Sequence, residues 1–115
     1  MINKISKKNA GHYIWGGSCD GWRLVDEAER SIIHERMPAG MQESRHVHRR
    51  SRQFFFVLSG TMNIEIDGTE HILREQEGID VPADIPHQVF NKSANDLEFL
   101  VISQPNTKGD RFPAE

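Results

Sequence analysis

Residues 40–60 read Gly40-Met-Gln-Glu-Ser-Arg-His46-Val-His48-Arg-Arg-Ser-Arg-Gln53-Phe-Phe-Phe-Val-Leu-Ser-Gly60. Two histidines stand two apart, Gln53 follows, and a five-residue apolar run leads to a serine and a glycine. Side chains two apart on a strand share a face, so His46 and His48 project together with Cα atoms about 6–7 Å apart. Two imidazoles converging from one strand are half of a metal site. A third histidine, His87, lies about forty residues on beside Pro86, in a segment that also reads as a strand.

Outward from this stretch the strand signals are frequent. Ser31 to Met37 is short and ends at Pro38. Thr61 to Ile66 alternates, with Met62, Ile64 and Ile66 on one face. Asp67-Gly68 follows, a strong hairpin signal because a type I′ turn needs positive φ at both central residues. Thr69 to Leu73 is the return strand, then come Gly78 to Val81, His87 to Asn91 and Asp96 to Ser103. Many short strands with Gly, Pro and Asp-Gly turns argue for an antiparallel sandwich or barrel. Leu24 to Arg30 offers a helix of about two turns, or equally a turn or loop. The tail from Asn106 to Glu115 is polar and reads as surface.

Length and composition narrow the classes. A chain of 115 residues suits one domain with one core. A formal charge of −3 and a pI near 6.1 give no global reason to expect nucleic acid or an anionic membrane as partner. No apolar run approaches a membrane span, and the basic N-terminus has no apolar segment behind it, so it reads as a loose arm and not a signal peptide. One cysteine, Cys19, excludes an intrachain disulfide and fits a cytoplasmic setting. The run Phe54 to Leu58 is apolar on both faces, which suits a homodimer or a covering element of the same chain.

The spacing from Gly40 through His46, His48 and Gln53 to Gly60 resembles the first cupin motif: Gly, five residues, His-x-His, three or four residues, Glu, six residues, Gly. Gln53 stands where that motif has glutamate. The second motif reads Gly, five residues, Pro-x-Gly, two residues, His, three residues, Asn. Here the same positions hold Gln76, Pro82-Ala-Asp84, His87 and Asn91, so the spacing is kept and both glycines are replaced. The resemblance implies an all-β jelly-roll barrel, a double-stranded β-helix, spanning 1–115 as one domain with its core at about 21–104. It also implies one divalent transition metal (Fe, Ni, Mn, Zn, Co or Cu) held by His46, His48, Gln53 and His87 and a small-molecule ligand in the barrel.

Glutamine can ligate through its amide oxygen but brings no negative charge, which weakens metal affinity and raises Lewis acidity. Glu43 is a substitute carboxylate in the approach loop. His71, in the hairpin, belongs to neither motif. Arg45, Arg49, Arg50 and Arg52 surround the histidines and could steer an anion, although a solvated loop is the simpler reading. Parity leaves open whether His34 and Arg36, or Glu35 and Met37, face inward on their strand. Phe55, Val57, Val89 and one face of Leu97 to Ser103 are expected to wall the pocket. Trp15 and Trp22 are expected to pack in the core or an interface, and Cys19 to be an inert thiol. No residue in the sequence stands out as a general base. The expected activity is therefore dioxygenase-type oxidation on three histidines with open positions, with a cupin isomerase or lyase, or a non-catalytic sugar-binding or sensor cupin, as alternatives.

Overall fold

The computed structural model describes residues 2–115. All of its regular structure is strand: β1 (Gly11–Trp15), β2 (Cys19–Asp26), β3 (Ser31–Met37), β4 (His46–Val47), β5 (Arg52–Ser59), β6 (Met62–Ile66), β7 (Thr69–Leu73), β8 (Gly78–Val81), β9 (His87–Phe90), β10 (Leu97–Gln104) and β11 (Phe112–Pro113). They form two antiparallel sheets, one ordered β1-β2-β3-β10-β5-β8 and the other β11-β4-β9-β6-β7. This is the all-β jelly roll expected from the motifs.

Register fixes what the barrel holds at each end. On β10, Leu97 and Phe99 face Met37 and Glu35 of β3, and Val101 and Ser103 face Ile33 and Ser31. On the other side Phe99, Val101 and Ser103 pair with Val57, Phe55 and Gln53 of β5. Leu97, Met37, Phe99 and Val57 are almost fully buried and, with Met62 and Ile64, plug one end. Each such side chain contributes about 1.5–3 kcal/mol by leaving water. At the other end the same strands present Ser31, Gln53 and Ser103, and the interior becomes polar.

Turn chemistry agrees with the sequence where it can be read. Asp67 and Gly68 take φ of 50° and 89°, the type I′ pattern, between β6 and β7. Gly60 adopts φ of 88°, and a Cβ there would lie 2.5 Å from the Asp96 carbonyl oxygen. Gln76 and Asp84, which replace the motif glycines, keep positive φ of 65° and 67°. Their amides donate to the Val57 and His48 carbonyls at 2.9 and 2.7 Å, so the turns survive without glycine.

Three expectations change. The segment from Leu24 is not helical: β2 continues to Asp26, paired with β3, and the charges that follow make a turn closed by Glu27 N–H to Arg30 O at 3.0 Å. Cross-strand pairing outcompetes a helix this short. The barrel begins before residue 21, because β1 and the start of β2 extend the larger sheet. The C-terminal tail is not simply surface: β11 pairs with β4, and Asp110 is 2% exposed. Its carboxylate accepts the backbone amides of Arg49, Arg50 and Ser51 at 2.9, 3.0 and 2.9 Å.

Candidate metal centre

β4 carries His46 and leads into His48, while β9 begins with His87, which pairs directly with His46. Gln53 comes from β5 in the opposite sheet. The three imidazoles are buried, with ring centroids 4.5–5.5 Å apart. One nitrogen from each lies within 4.8 Å of the others, a cluster that could hold a metal ion.

Hydrogen bonds set the tautomers. The Nδ1 atoms of His46, His48 and His87 face the carbonyls of Ser44, Asp110 and Ile85 at 2.8, 2.5 and 3.0 Å. A carbonyl only accepts, so each Nδ1 carries the hydrogen and each neutral ring keeps its lone pair on Nε2. Nε2 of His48 is the one fully buried side-chain polar atom without a partner among the described residues. Gln53 donates through Nε2 to Ser103 Oγ at 3.0 Å and turns Oε1 to within 3.1 Å of His87 Nε2. An amide oxygen and an imidazole lone pair are both acceptors, an arrangement that suits a cation between them, whereas the flipped amide would donate to His87 and accept from Ser103. The donor set therefore fits a divalent transition metal. Burial drives His46 down to about 3 and His87 down to about 4, with His48 shifted the same way, so all three are neutral at neutral pH.

The cluster opens into a cavity of about 520 Å³, whose wall includes Trp15, Ile33, Phe55, Val101 and Ser103. The inward face of β3 proves to be that of Glu35 and Met37; His34 faces out and meets Glu98 at 2.7 Å. Glu35 lines the cavity and makes no hydrogen bond or ion pair with another described residue. Burial pushes its carboxyl up to about 8, helped by Glu43 and opposed by Arg111. Glu43 also lines the cavity, but its Oε2 accepts the Val89 amide at 2.9 Å and sits 3.9 Å from His46 Nδ1. Burial raises it to about 7. It lies on the Nδ1 side of His46, away from the converging Nε2 atoms, and so does not replace Gln53.

The arginines flanking the histidines do not line the cavity. Arg45 grips Glu65 at 2.7 and 3.1 Å, Arg52 meets Asp80 at 2.7 Å, and Arg49 lies over the Phe112 ring. The cavity's arginine is Arg111, from the tail, which the sequence reading passed over together with Tyr13. His71 sits on β7 opposite Ile64 and does not line the cavity. Trp22 packs between His12 and His34. Cys19 is buried and its thiol is pushed up to about 11, chiefly by burial, as suits an inert side chain.

The family model for the cupin domain matches residues 33–103. Polyketide synthase CurC of Streptomyces cyaneus is 33% identical over 69 residues, covering 60% of this chain and 45% of that protein. The chain thus spans less than half the length of this curated relative. KdgF from a Halomonas species superposes with a TM-score of 0.83 at 13% identity, covering 92% of this chain and 96% of the other. The polyketide cyclase RemF of Streptomyces resistomycificus superposes with a TM-score of 0.80 at 17% identity, covering 92% and 81%. With both motifs in register, the histidine cluster in place and a family match over more than half its length, the chain belongs to the cupin family.

Proposed function

We propose that this cupin is a metal-dependent enzyme that moves a proton on a small carbonyl-bearing molecule in the barrel. In this reading His46, His48, His87 and the Gln53 amide oxygen hold one divalent transition metal. When bound, the ion supplies Lewis acidity toward a substrate oxygen on which negative charge develops. The observation that carries the reading is the unpaired Glu35 carboxyl in the cavity that His46, His48 and Gln53 also line. Glu35 accepts a proton from the carbon beside the carbonyl, the C–H electron pair moves toward the carbonyl oxygen, and the proton returns at a second atom. A value raised to about 8 places it near the working pH, where a general base and acid is most effective. Arg111 orients an anionic group of the substrate, and Trp15, Ile33 and Phe55 exclude water.

This is isomerase, cyclase or lyase chemistry, preferred here to the dioxygenase expectation because Glu35, a candidate base, lines the cavity. The resemblance to a polyketide synthase supports carbonyl-rich substrates. A homodimer is part of the proposal. Phe54 and Phe56 of β5 pair with Ile102 and Leu100 of β10 on the outer face, and Phe54 is 38% exposed. The lone cysteine supports a cytoplasmic setting.

The test uses tag-free protein stripped with a chelator and reloaded with Fe, Ni, Mn, Zn, Co or Cu. Hydrogen–deuterium exchange at carbon is followed by NMR on 2,4-pentanedione and a panel of ketoses, with oxygen uptake recorded in parallel. The expected result is metal-dependent exchange without oxygen uptake, reduced about 10²-fold or more in Glu35→Gln at unchanged metal content. Oxygen uptake without exchange would overturn proton transfer in favour of dioxygenation. Failure to take up any metal would overturn the metal enzyme altogether.

A further inference from the structure

A second cavity of about 410 Å³ adjoins the metal pocket and shares Tyr13, Ile33 and Thr107 with it. We propose that it is a subsite for the anionic tail of the substrate, a carboxylate or phosphate, bound by Arg23 and Lys108. The proposal takes the metal pocket as the seat of the reacting end, and so rests on the reading above.

Three features show that this cavity is built. First, a β-bulge lies between Arg23 and Val25, where β2 spends three residues against Ile33 and Ile32 of β3. Cys19 and Gly21 face inward on β2, and Arg23 has their parity but is exposed, as is Lys108, so the two cations stand at the open rim of the cavity, and the bulge brings Val25 onto the same cavity. Among the described residues neither Arg23 nor Lys108 is in an ion pair. Second, Tyr13 is seated between the two cavities. A Cβ on Gly21 would fall 2.3 Å from its ring, so glycine lets the ring lie flat across β2, and the Arg23 guanidinium stacks on it at 4.0 Å. Third, Asn106 ties the opposite wall in place. Its Nδ2 donates to Asp26 Oδ1 and the Glu27 carbonyl at 2.9 and 3.0 Å, and its Oδ1 accepts the Lys108 amide at 3.0 Å. Asp26 is thereby engaged, and the balance of Arg23, Lys108 and Asp26 is one net positive charge. A substrate longer than the metal pocket lays its stem along Tyr13 and Ile33 and its anion on the two cations.

The probes are n-hexyl phosphate, hexanoate and hexan-1-ol, titrated into metal-free protein and followed by backbone amide NMR. The anions are expected to shift amides at 23–26 and 106–108 and to bind about tenfold tighter than the alcohol. Arg23→Gln with Lys108→Gln should lose that tenfold preference and leave hexanol binding unchanged, because both substitutions keep most of the side-chain stem. Gly21→Ala, which displaces Tyr13, should weaken all three probes while the chain stays folded by the same spectra. The stronger of hexyl phosphate and hexanoate identifies the tail as phosphate or carboxylate. Equal binding of anions and alcohol, or an unaffected double variant, would overturn the subsite. None of these readouts needs metal or turnover, so a failure of proton transfer and a failure of the subsite are told apart.

Discussion

Replacing Asp110 by alanine should cost this barrel about 4 kcal/mol, although the residue lies in a polar tail beyond Gln104, the end of the last strand of the larger sheet. Its carboxylate accepts three consecutive amides, those of Arg49, Arg50 and Ser51. Ser51 is 1% exposed, so its amide would be left buried without a partner, at about 2 kcal/mol. Arg49 and Arg50 are exposed, so water can partly replace the acid, at about 1 kcal/mol each. The sum corresponds to a fall in Tm of roughly 15–20 °C for a domain of this size. Urea unfolding of metal-free protein measures the difference directly, and Asp110→Asn, which keeps one acceptor oxygen, should fall about halfway.

The same substitution reaches the metal centre, because the Asp110 carbonyl accepts from His48 Nδ1 at 2.5 Å and fixes that ring's tautomer. Loosening this turn should lower metal affinity by about 10–100-fold. The sign with pH is also set. Burial alone would raise the Asp110 carboxyl, but the amides of Ser51, Arg49 and Arg50 hold it below its ordinary 3.8. Stability from a depressed acid is present above that ordinary value and lost as pH falls through the folded one. The gap between wild type and Asp110→Ala should therefore narrow only in strong acid. A variant within about 1 kcal/mol of wild type at neutral pH would refute the tail as a structural part of the barrel.

Gln53→Glu should tighten metal binding by about tenfold or more in a competitive chelator titration, because a carboxylate adds the negative charge that glutamine withholds. Metal-free protein should show opposing pH arms in thermal unfolding. His46 and His87, neutral in the fold down to about 3 and 4, cost stability as pH falls below their ordinary 6.5. Glu35 and Glu43, raised to about 8 and about 7, hold their protons longer in the fold than in the open chain, so stability falls as pH rises from 4.5 toward 8, and Glu35→Gln should make that arm shallower while leaving the acid arm in place. Phe54→Lys should shift the proposed homodimer to monomer in size-exclusion light scattering without changing the circular dichroism spectrum.

The strands and the imidazole cluster were legible because both rest on local rules. Period-two alternation places His46 beside His48 whatever the rest of the chain does, and the Asp67-Gly68 turn declares its own hairpin. Glu35 was not legible. On β3 the alternatives Ser31, Ile33, Glu35, Met37 and Ile32, His34, Arg36 are about equally polar, so nothing in the strand says which set goes inside. Only the partners decide, since His34 can reach Glu98 and Arg36 can reach Asp20 on the outer face at 2.7 and 2.6 Å. Arg111 and Asp110 were hidden for a different reason. Their roles depend on a tail returning to β4 across some sixty residues, and loop composition carries no record of that. The arginines that sequence proximity made conspicuous are instead engaged elsewhere, Arg45 by Glu65 and Arg52 by Asp80.

The placement of charge around the cluster is the strongest argument for proton transfer over a sealed structural metal. All four groups that converge on it are neutral: three imidazoles with lone pairs on Nε2, and an amide held by Ser103. The carboxyl groups of the site, Glu35 and Glu43, line the cavity without joining the cluster. A structural site gains most by placing its carboxylate on the ion, where the attraction is greatest and no position is left open. Moving the carboxylate off the ion gives up affinity and leaves an uncommitted base beside a more electrophilic centre. Glu35 is half-buried opposite Phe99, where its carboxyl gives up part of its hydration and has no structural partner to replace it. In the proposed reading its justification is the substrate carbon that enters the cavity between it and the three imidazoles.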